Sequence, residues 1–252
     1  MIEAYEGAIP AGGWPNWVLG NHDQPRIASR VGPAQARVAA MLLLTLRGTP
    51  TLYYGDELGL ENVPIPPDRE RDPFGMNMPG TGQGRDPERT PMPWDGASRN
   101  AGFTAAGVEP WLPLNDDWRE RNVEAQRADP GSMLALVEAL LRLRRAEPAL
   151  SLGDWRTLSV GDDVLVYRRR EEGGRGRAFV VALNLEPAPK RIRFGEADGV
   201  RGRVALSTRP GREGEQVADG LDLDADEGVV VELAVAAGPA TGAGIEVVDA
   251  EP

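Results

Sequence analysis

Few residues in this chain combine a reactive type with a suggestive placement. The only histidine, His22, stands between Asn21 and Asp23, directly after the short apolar run Asn16 to Gly20. An imidazole beside a carboxylate supplies a donor and an acceptor at one point, the pairing that hydroxyl-rich ligands require. An Asn-His-Asp triplet taken alone is ordinary turn chemistry. Placed at the C-terminal end of a buried parallel strand, it would face the site-forming side of an α/β barrel. Arg85 and Arg89 follow in a loop crowded with proline. A guanidinium fork matches paired hydroxyl or carboxylate acceptors, and Asp86 and Asp95 offer Arg85 the competing role of a loop-ordering ion pair. Trp94, set among prolines, reads as that loop's own core rather than as a sugar-stacking platform. Asp56 and Glu57 are adjacent acids that read as structural. The acidic run Asp222, Asp224, Asp226 and Glu227 has loop or edge-strand spacing and reads as solvated, so no metal site is argued.

Composition limits the alternatives. The chain has 252 residues and a net charge of −11. That balance excludes nucleic acid as a partner, because phosphates need a basic face. With no cysteine, thiolate catalysis and Cys-based zinc sites are excluded. The first ten residues, MIEAYEGAIP, lack the apolar core of a signal peptide. The longest apolar run, Val38 to Leu46, is nine residues with Thr45 inside it, whereas a bilayer span needs about 20. A soluble, cytoplasmic protein with no membrane partner is expected.

The elements that must position those residues are legible in outline. Residues 16–20 and 49–54 read as buried strands. Between them Val38, Met41, Leu42 and Leu46 repeat at helical spacing up to Gly48. Strand, helix, strand is a βαβ unit and implies a parallel sheet. Residues 55–131 form one long excursion, of the length usually kept for function. Asp129-Pro130 then opens a helix with Met133, Leu136, Val137, Leu140 and Leu141 on one face, stopped by Pro148. From about Leu152 the chain becomes short alternating runs, such as Val164 to Tyr167 and Phe179 to Asn184, the pattern of a small antiparallel β-sandwich. Residues 236–252 are rich in Gly, Ala and Pro, and are expected to be disordered.

Three segments together carry a resemblance. They are Gly20-Asn21-His22-Asp23-Gln24-Pro25-Arg26, then Thr49 to Glu57 (TPTLYYGDE), then Gly84 to Asp95 (GRDPERTPMPWD) with Ala101-Gly102-Phe103-Thr104 just after. In order and spacing they resemble the α-glucosidase and oligo-1,6-glucosidase branch of the α-amylase superfamily, glycoside hydrolase family 13. The resemblance covers about residues 1–235. It implies an α/β fold: residues 1–150 as the C-terminal part of a (β/α)8 TIM barrel, the last two strand-helix units, followed by a small antiparallel β-sandwich over 151–235. It further implies that Asp23 is the third essential carboxylate, a transition-state stabiliser bonded to the 2- and 3-hydroxyls of the glucosyl ring. His22 would bond the same ring, and Arg85 would hold the non-reducing-end glucose. Arg89 is a second, weaker candidate for substrate binding. The implied partner is a small α-linked gluco-oligosaccharide. No cofactor is implied, since the family's calcium loop follows its first barrel strand and has no counterpart here.

The family's nucleophile lies in a Gly-x-Arg-x-Asp segment and its acid is a later glutamate, both upstream of the Asn-His-Asp triplet. No Gly-x-Arg-x-Asp occurs in this chain. Retaining hydrolysis needs two carboxyl groups about 5–5.5 Å apart. The chain is therefore expected to be part of a longer enzyme, to need the N-terminal part of the barrel, and to be inactive alone. Three other readings stay open. One is a glucosyl-transferring or isomerising relative, such as a trehalose synthase or sucrose isomerase. Another is a barrel relative that lost catalysis and serves as a scaffold. The last is a carbohydrate-binding module in 152–235, for which Trp155, Tyr167, Phe179 and Phe194 are the available aromatics.

Overall fold

The computed structural model describes residues 2–161, 163–171, 173, 176–195, 200–234 and 245–250. Two compact units interleave along the chain. The first comprises Met1–Trp17, Arg37–Pro50 and Glu138–Pro252, and the second Val18–Ala36 and Thr51–Val137.

Helix α1 (Ile2–Ala8) precedes strand β1 (Asn16–Val18), helices α2 (Ile27–Val31) and α3 (Pro33–Thr45), and strand β2 (Thr49–Thr51). The order strand, helix, strand is as expected, but both strands are shorter than the expected 16–20 and 49–54 and are not buried. They form a two-stranded sheet whose central residues are only partly covered. Each strand has a single strand neighbour among the described residues, and Val18 is exposed. The expected helix is α3; the shorter α2 precedes it and the two are separated at Gly32, where φ is +83°, a conformation glycine adopts without a Cβ penalty, and Pro33 starts α3.

Residues 55–131 hold only short elements: α4 (Pro73–Asn77), α5 (Val123–Ala128) and four 3₁₀ turns. Asp72 caps α4 and Asn122 caps α5, their side chains accepting from the N–H groups of Phe74 and Ala125. Leu58, Leu60, Met92 and Val123 form a small core under this stretch. Helix α6 (Met133–Ala146) follows where the apolar periodicity placed it, and α7 (Pro148–Ser151) begins at its proline.

The rest of the first unit is β-structure. Strands β3 (Asp154–Val160), β4 (Val164–Arg170), β5 (Ala178–Asn184), β6 (Lys190–Arg193), β7 (Gly202–Ser207), β8 (Gln216–Val217), β9 (Gly220–Leu223), β10 (Gly228–Leu233) and β11 (Glu246–Asp249) form two sheets. One has the order β3-β4-β5-β10-β7-β8 and the other β11-β6-β9, with antiparallel pairing within each. Val166, Val180, Ala182 and Val231 of the larger sheet share one core with Ile192, Leu221 and Leu223 of the smaller. The sheets therefore face each other across alternating apolar side chains.

Strand β11 lies inside the stretch expected to be disordered. Val247 and Val248, flanked by Glu246 and Asp249, pair with Ile192 and Arg191 of β6, which gives that short segment a sheet edge to complete. The remainder of that stretch, 236–244 and 251–252, lies outside the described residues. No helix among the described residues is long and apolar enough to cross a membrane.

Buried arginines join the helical and β parts of the first unit. Arg144 of α6 donates to the carbonyls of Leu44, Leu46 and Gly48, at 2.9, 2.9 and 2.5 Å, satisfying the C-terminal end of α3. Arg169 of β4 donates to the carbonyls of Thr45, Gly153 and Asp154. The hydroxyls of Thr45 and Tyr167 meet at 2.5 Å. Burial lowers the pKa of Arg169 to about 10. Carbonyl oxygens, not carboxylates, compensate both guanidinium groups.

The acidic run expected to be solvated divides in two. Asp222 is exposed and pairs with Arg191. Glu227 is fully buried, accepting from Ser207 Oγ at 2.7 Å, Arg212 Nη1 at 2.7 Å and the Asp224 N–H at 2.8 Å. Three donors compensate its desolvation, which a reading of charge spacing could not reveal. Among the described residues no group of three or more His, Asp or Glu is placed to hold a metal ion. Tyr167, Phe179 and Phe194 are core residues and so unavailable as a sugar platform.

Candidate active site

Residues 20–26, 51–57 and 84–95 of the three motif segments converge within the second unit. Asn21 Oδ1 accepts the Asp23 N–H at 2.8 Å, an Asx turn that fixes the backbone of the triplet. Asp23 Oδ1 then accepts two cationic donors, Arg85 Nη1 at 2.9 Å and Arg89 Nη2 at 3.0 Å. Arg89 Nε also donates to the His22 carbonyl at 2.8 Å. The His22 imidazole lies beside the other oxygen, Nε2 to Oδ2 being 3.3 Å. His22, Asp23, Arg85 and Arg89, the four residues singled out in the sequence, thus meet at one point. Asp23 remains open to solvent, with its side chain 45% exposed.

Arg85 is aimed by a residue the sequence reading did not select. Asp72 takes the Arg85 fork in both arms, from Nε at 2.8 Å and Nη2 at 2.9 Å, and accepts the Arg85 and Phe74 N–H groups as well. Only Nη1 is left to reach Asp23. Bonding to Arg85 holds the Asp72 carboxyl well below the usual carboxylate range, and the same bond raises the Arg85 pKa. Of the partners expected for Arg85, Asp86 instead accepts the N–H groups of Arg71 and Asp72 at 2.6 and 2.8 Å. Asp95 accepts those of Ala97 and Ser98 in its own turn, which lowers its pKa. The loops bearing Asp72 and Arg85 touch backbone to backbone: a Cβ on Gly75 would lie 3.1 Å from Gly84 Cα. Asp72-Pro73 is a helix-start pattern, yet nothing local in the sequence ties it to an arginine thirteen positions on.

A second layer lies behind the triplet. The Arg26 side chain is fully buried, with Cζ 5.2 Å from the Tyr53 ring and 4.9 Å from the Tyr54 ring. Its Nη1 donates to the Tyr54 carbonyl at 2.7 Å and its N–H to Asn62 Oδ1 at 2.8 Å. The Tyr53 and Tyr54 hydroxyls donate to the carbonyls of Glu88 and Thr90, which ties the Gly84–Asp95 segment to residues 53–54. Burial raises the pKa of both tyrosines. Glu57 accepts the Gly55 N–H at 2.7 Å, as suits a structural acid. Trp94 is not loop core: its N–H is bonded to the Ala101 carbonyl, which pins the main chain and leaves the indole half exposed.

Chemically, the arrangement is an exposed carboxylate with three cationic or imidazole neighbours, rigidly held and rich in donors. Its mix of donors and acceptors suits a polyhydroxylated ligand. Residues 1–153 match the model of the alpha amylase catalytic domain. The chain belongs to the α-amylase family. It is 34% identical over 201 residues to oligo-1,6-glucosidase of Parageobacillus thermoglucosidasius, covering 70% of this chain and 35% of that protein. It is 35% identical over 235 residues to amino acid transporter heavy chain SLC3A1 of Rattus norvegicus, covering 92% of this chain and 33% of that one. Insect α-glucosidases are further relatives. Among solved structures, the trehalulose synthase MutB of Pseudomonas mesoacidophila MX-45 superposes with a TM-score of 0.75 at 30% identity, covering 87% of this chain and 43% of that one. The chain spans about a third of the length of the curated relatives it matches.

Proposed function

We propose that this chain forms the sugar-binding third of a retaining α-glucosidase acting on short α-linked gluco-oligosaccharides. In this reading residues 1–150 are the last two strand-helix units of a (β/α)8 barrel and 151–235 an accessory all-β domain. Asp23 binds the 2- and 3-hydroxyls of the glucosyl ring, and its bonds strengthen as the ring flattens towards an oxocarbenium ion. His22 donates to the same ring. Arg85 and Arg89 fix the carboxylate and hold the sugar's non-reducing end. The nucleophile and the acid come from outside these residues, so the chain alone does not turn over substrate.

One observation carries the reading: Asp23 is exposed, yet both arginines of the Gly84–Asp95 segment are aimed at it. A residue kept only for folding would not need two long side chains converging on a solvent-facing oxygen. In the polypeptide that joins this chain to the nucleophile segment, Asp23→Asn is expected to lower kcat roughly 100-fold or more with little change in KM, the scale of losing one transition-state contact. Near-normal kcat would refute the assignment. Product analysis separates hydrolysis, which releases glucose, from the glucosyl-transferring or isomerising alternative, which the likeness to a trehalulose synthase supports.

The match to a transporter heavy chain across 92% of the sequence supports a second reading, a non-catalytic scaffold. Under that reading, substitution of Asp23 leaves every function of the protein intact.

A further inference from the structure

Asp56 and Arg26 take no part in the chemistry proposed for Asp23, yet both are buried with polar atoms unused. Among the described residues, Asp56 Oδ1 and Arg26 Nε and Nη2 have no hydrogen-bond partner. The nearest approach of the two groups, Nη1 to Oδ1, is 4.0 Å, with the side chains 0% and 6% exposed. An ionised pair at that separation, shielded from water, is coupled by charge even without a hydrogen bond.

Their positions in the chain give this coupling a consequence. The triplet Asn21-His22-Asp23 lies within the segment Gly20–Arg26. Asp56 lies against its first residue: a Cβ on Gly20 would be 2.3 Å from Asp56 Oδ2. Arg26, which faces the other oxygen, is its last residue. A single carboxylate therefore meets both ends of the turn that presents Asp23. On its own side, Asp56 is fixed by its N–H to the Tyr53 carbonyl at 3.1 Å. Arg26 is clamped by Tyr53, Tyr54 and Asn62.

We infer that Asp56 is a positioning residue, setting through Gly20 and Arg26 the pose of the turn that carries His22 and Asp23. The inference rests on the glucosyl-site reading for its purpose, but the coupling itself does not. A turn gripped at both ends by one side chain moves as a unit when that side chain changes charge. Burial pushes the Asp56 carboxyl up to about 6; Arg26 and Arg30 oppose the rise and Glu57 adds to it. The Tyr53 main chain aside, these are the charged groups that act on it most strongly. The carboxyl therefore changes charge in a range where the fold can be observed on both sides of the transition.

The test is NMR of the whole chain in a His22→Gln background, which removes the only imidazole. The Asp56 side-chain carboxyl ¹³C signal and the amide signals of Asn21 and Asp23 are followed from pH 4.5 to 8. The amides are expected to shift with the same midpoint as the carboxyl, about 6. Adding Asp56→Asn should abolish that step. Amides flat through the Asp56 transition, or a step that persists in Asp56→Asn, would overturn the inference. Should Asp56→Asn not fold, the titration with Asp56 intact decides alone. A parallel titration of the unsubstituted chain with isomaltose keeps the two readings apart. Absence of binding there would overturn the glucosyl site, while the amide titration still decides whether Asp56 governs the turn.

Discussion

At the scale of single residues, the site is a relay of hydrogen bonds running from buried to exposed. The main chain of Asp72 is held by Asp86, its carboxylate holds Arg85, and Arg85 reaches Asp23. The depressed pKa of Asp72 fixes a sign. A carboxyl that titrates lower in the folded protein than its unfolded value of about 3.9 adds stability above that value. The contribution is lost as pH falls towards the folded pKa. Asp72→Asn should therefore lower the melting temperature at pH 7 and still lower it, by a smaller amount, at about pH 3, which lies below the unfolded value but above the folded one; a larger drop at the acid pH than at pH 7 would contradict the ion-pair account. Asp23, His22, Arg85 and Arg89 were legible because each sits in a contiguous motif. Asp72, Arg26 and the buried Glu227 were not. Their partners lie 13, 30 and 15 positions away, at Arg85, Asp56 and Arg212, and only the folded chain brings them together.

Among the elements, periodicity served the long ones and failed the short. Helix α6 and strands β4 and β5 lie close to where apolar spacing put them, because each buries a full face. Strands β1 and β2 are three residues each, since apolar composition alone does not supply neighbours to pair with. Strand β11 was missed in a stretch whose composition suggested disorder. The α3 terminus depends on Arg144, whose fork replaces the bonds a further helical turn would have made. Arg144→Met should cost about 3 kcal/mol in urea denaturation, since it leaves buried carbonyls unsatisfied. Tyr167→Phe, which removes one hydroxyl from Thr45, should cost about 1 kcal/mol. If Arg144→Met cost no more than Tyr167→Phe, the role of Arg144 as a helix cap would be wrong.

For the molecule as a whole, family membership and the site agree, but they answer different questions. Membership comes from 153 matched residues and leaves both catalytic and transporter relatives in view. The site argues for sugar chemistry from the geometry around one oxygen of Asp23. The net charge of the whole chain, −11, suits a neutral or cationic partner. Because the chain holds no Gly-x-Arg-x-Asp segment, it should release no detectable nitrophenol from p-nitrophenyl α-glucoside; turnover by this chain alone would mean that the catalytic carboxylates had been misassigned. The most direct test of the glucosyl site uses its single histidine as reporter. Titrating the protein with isomaltose while following the His22 imidazole signals should give a saturable shift that Asp23→Asn abolishes. Imidazole signals indifferent to the sugar, or a shift that survives unchanged in Asp23→Asn, would contradict it.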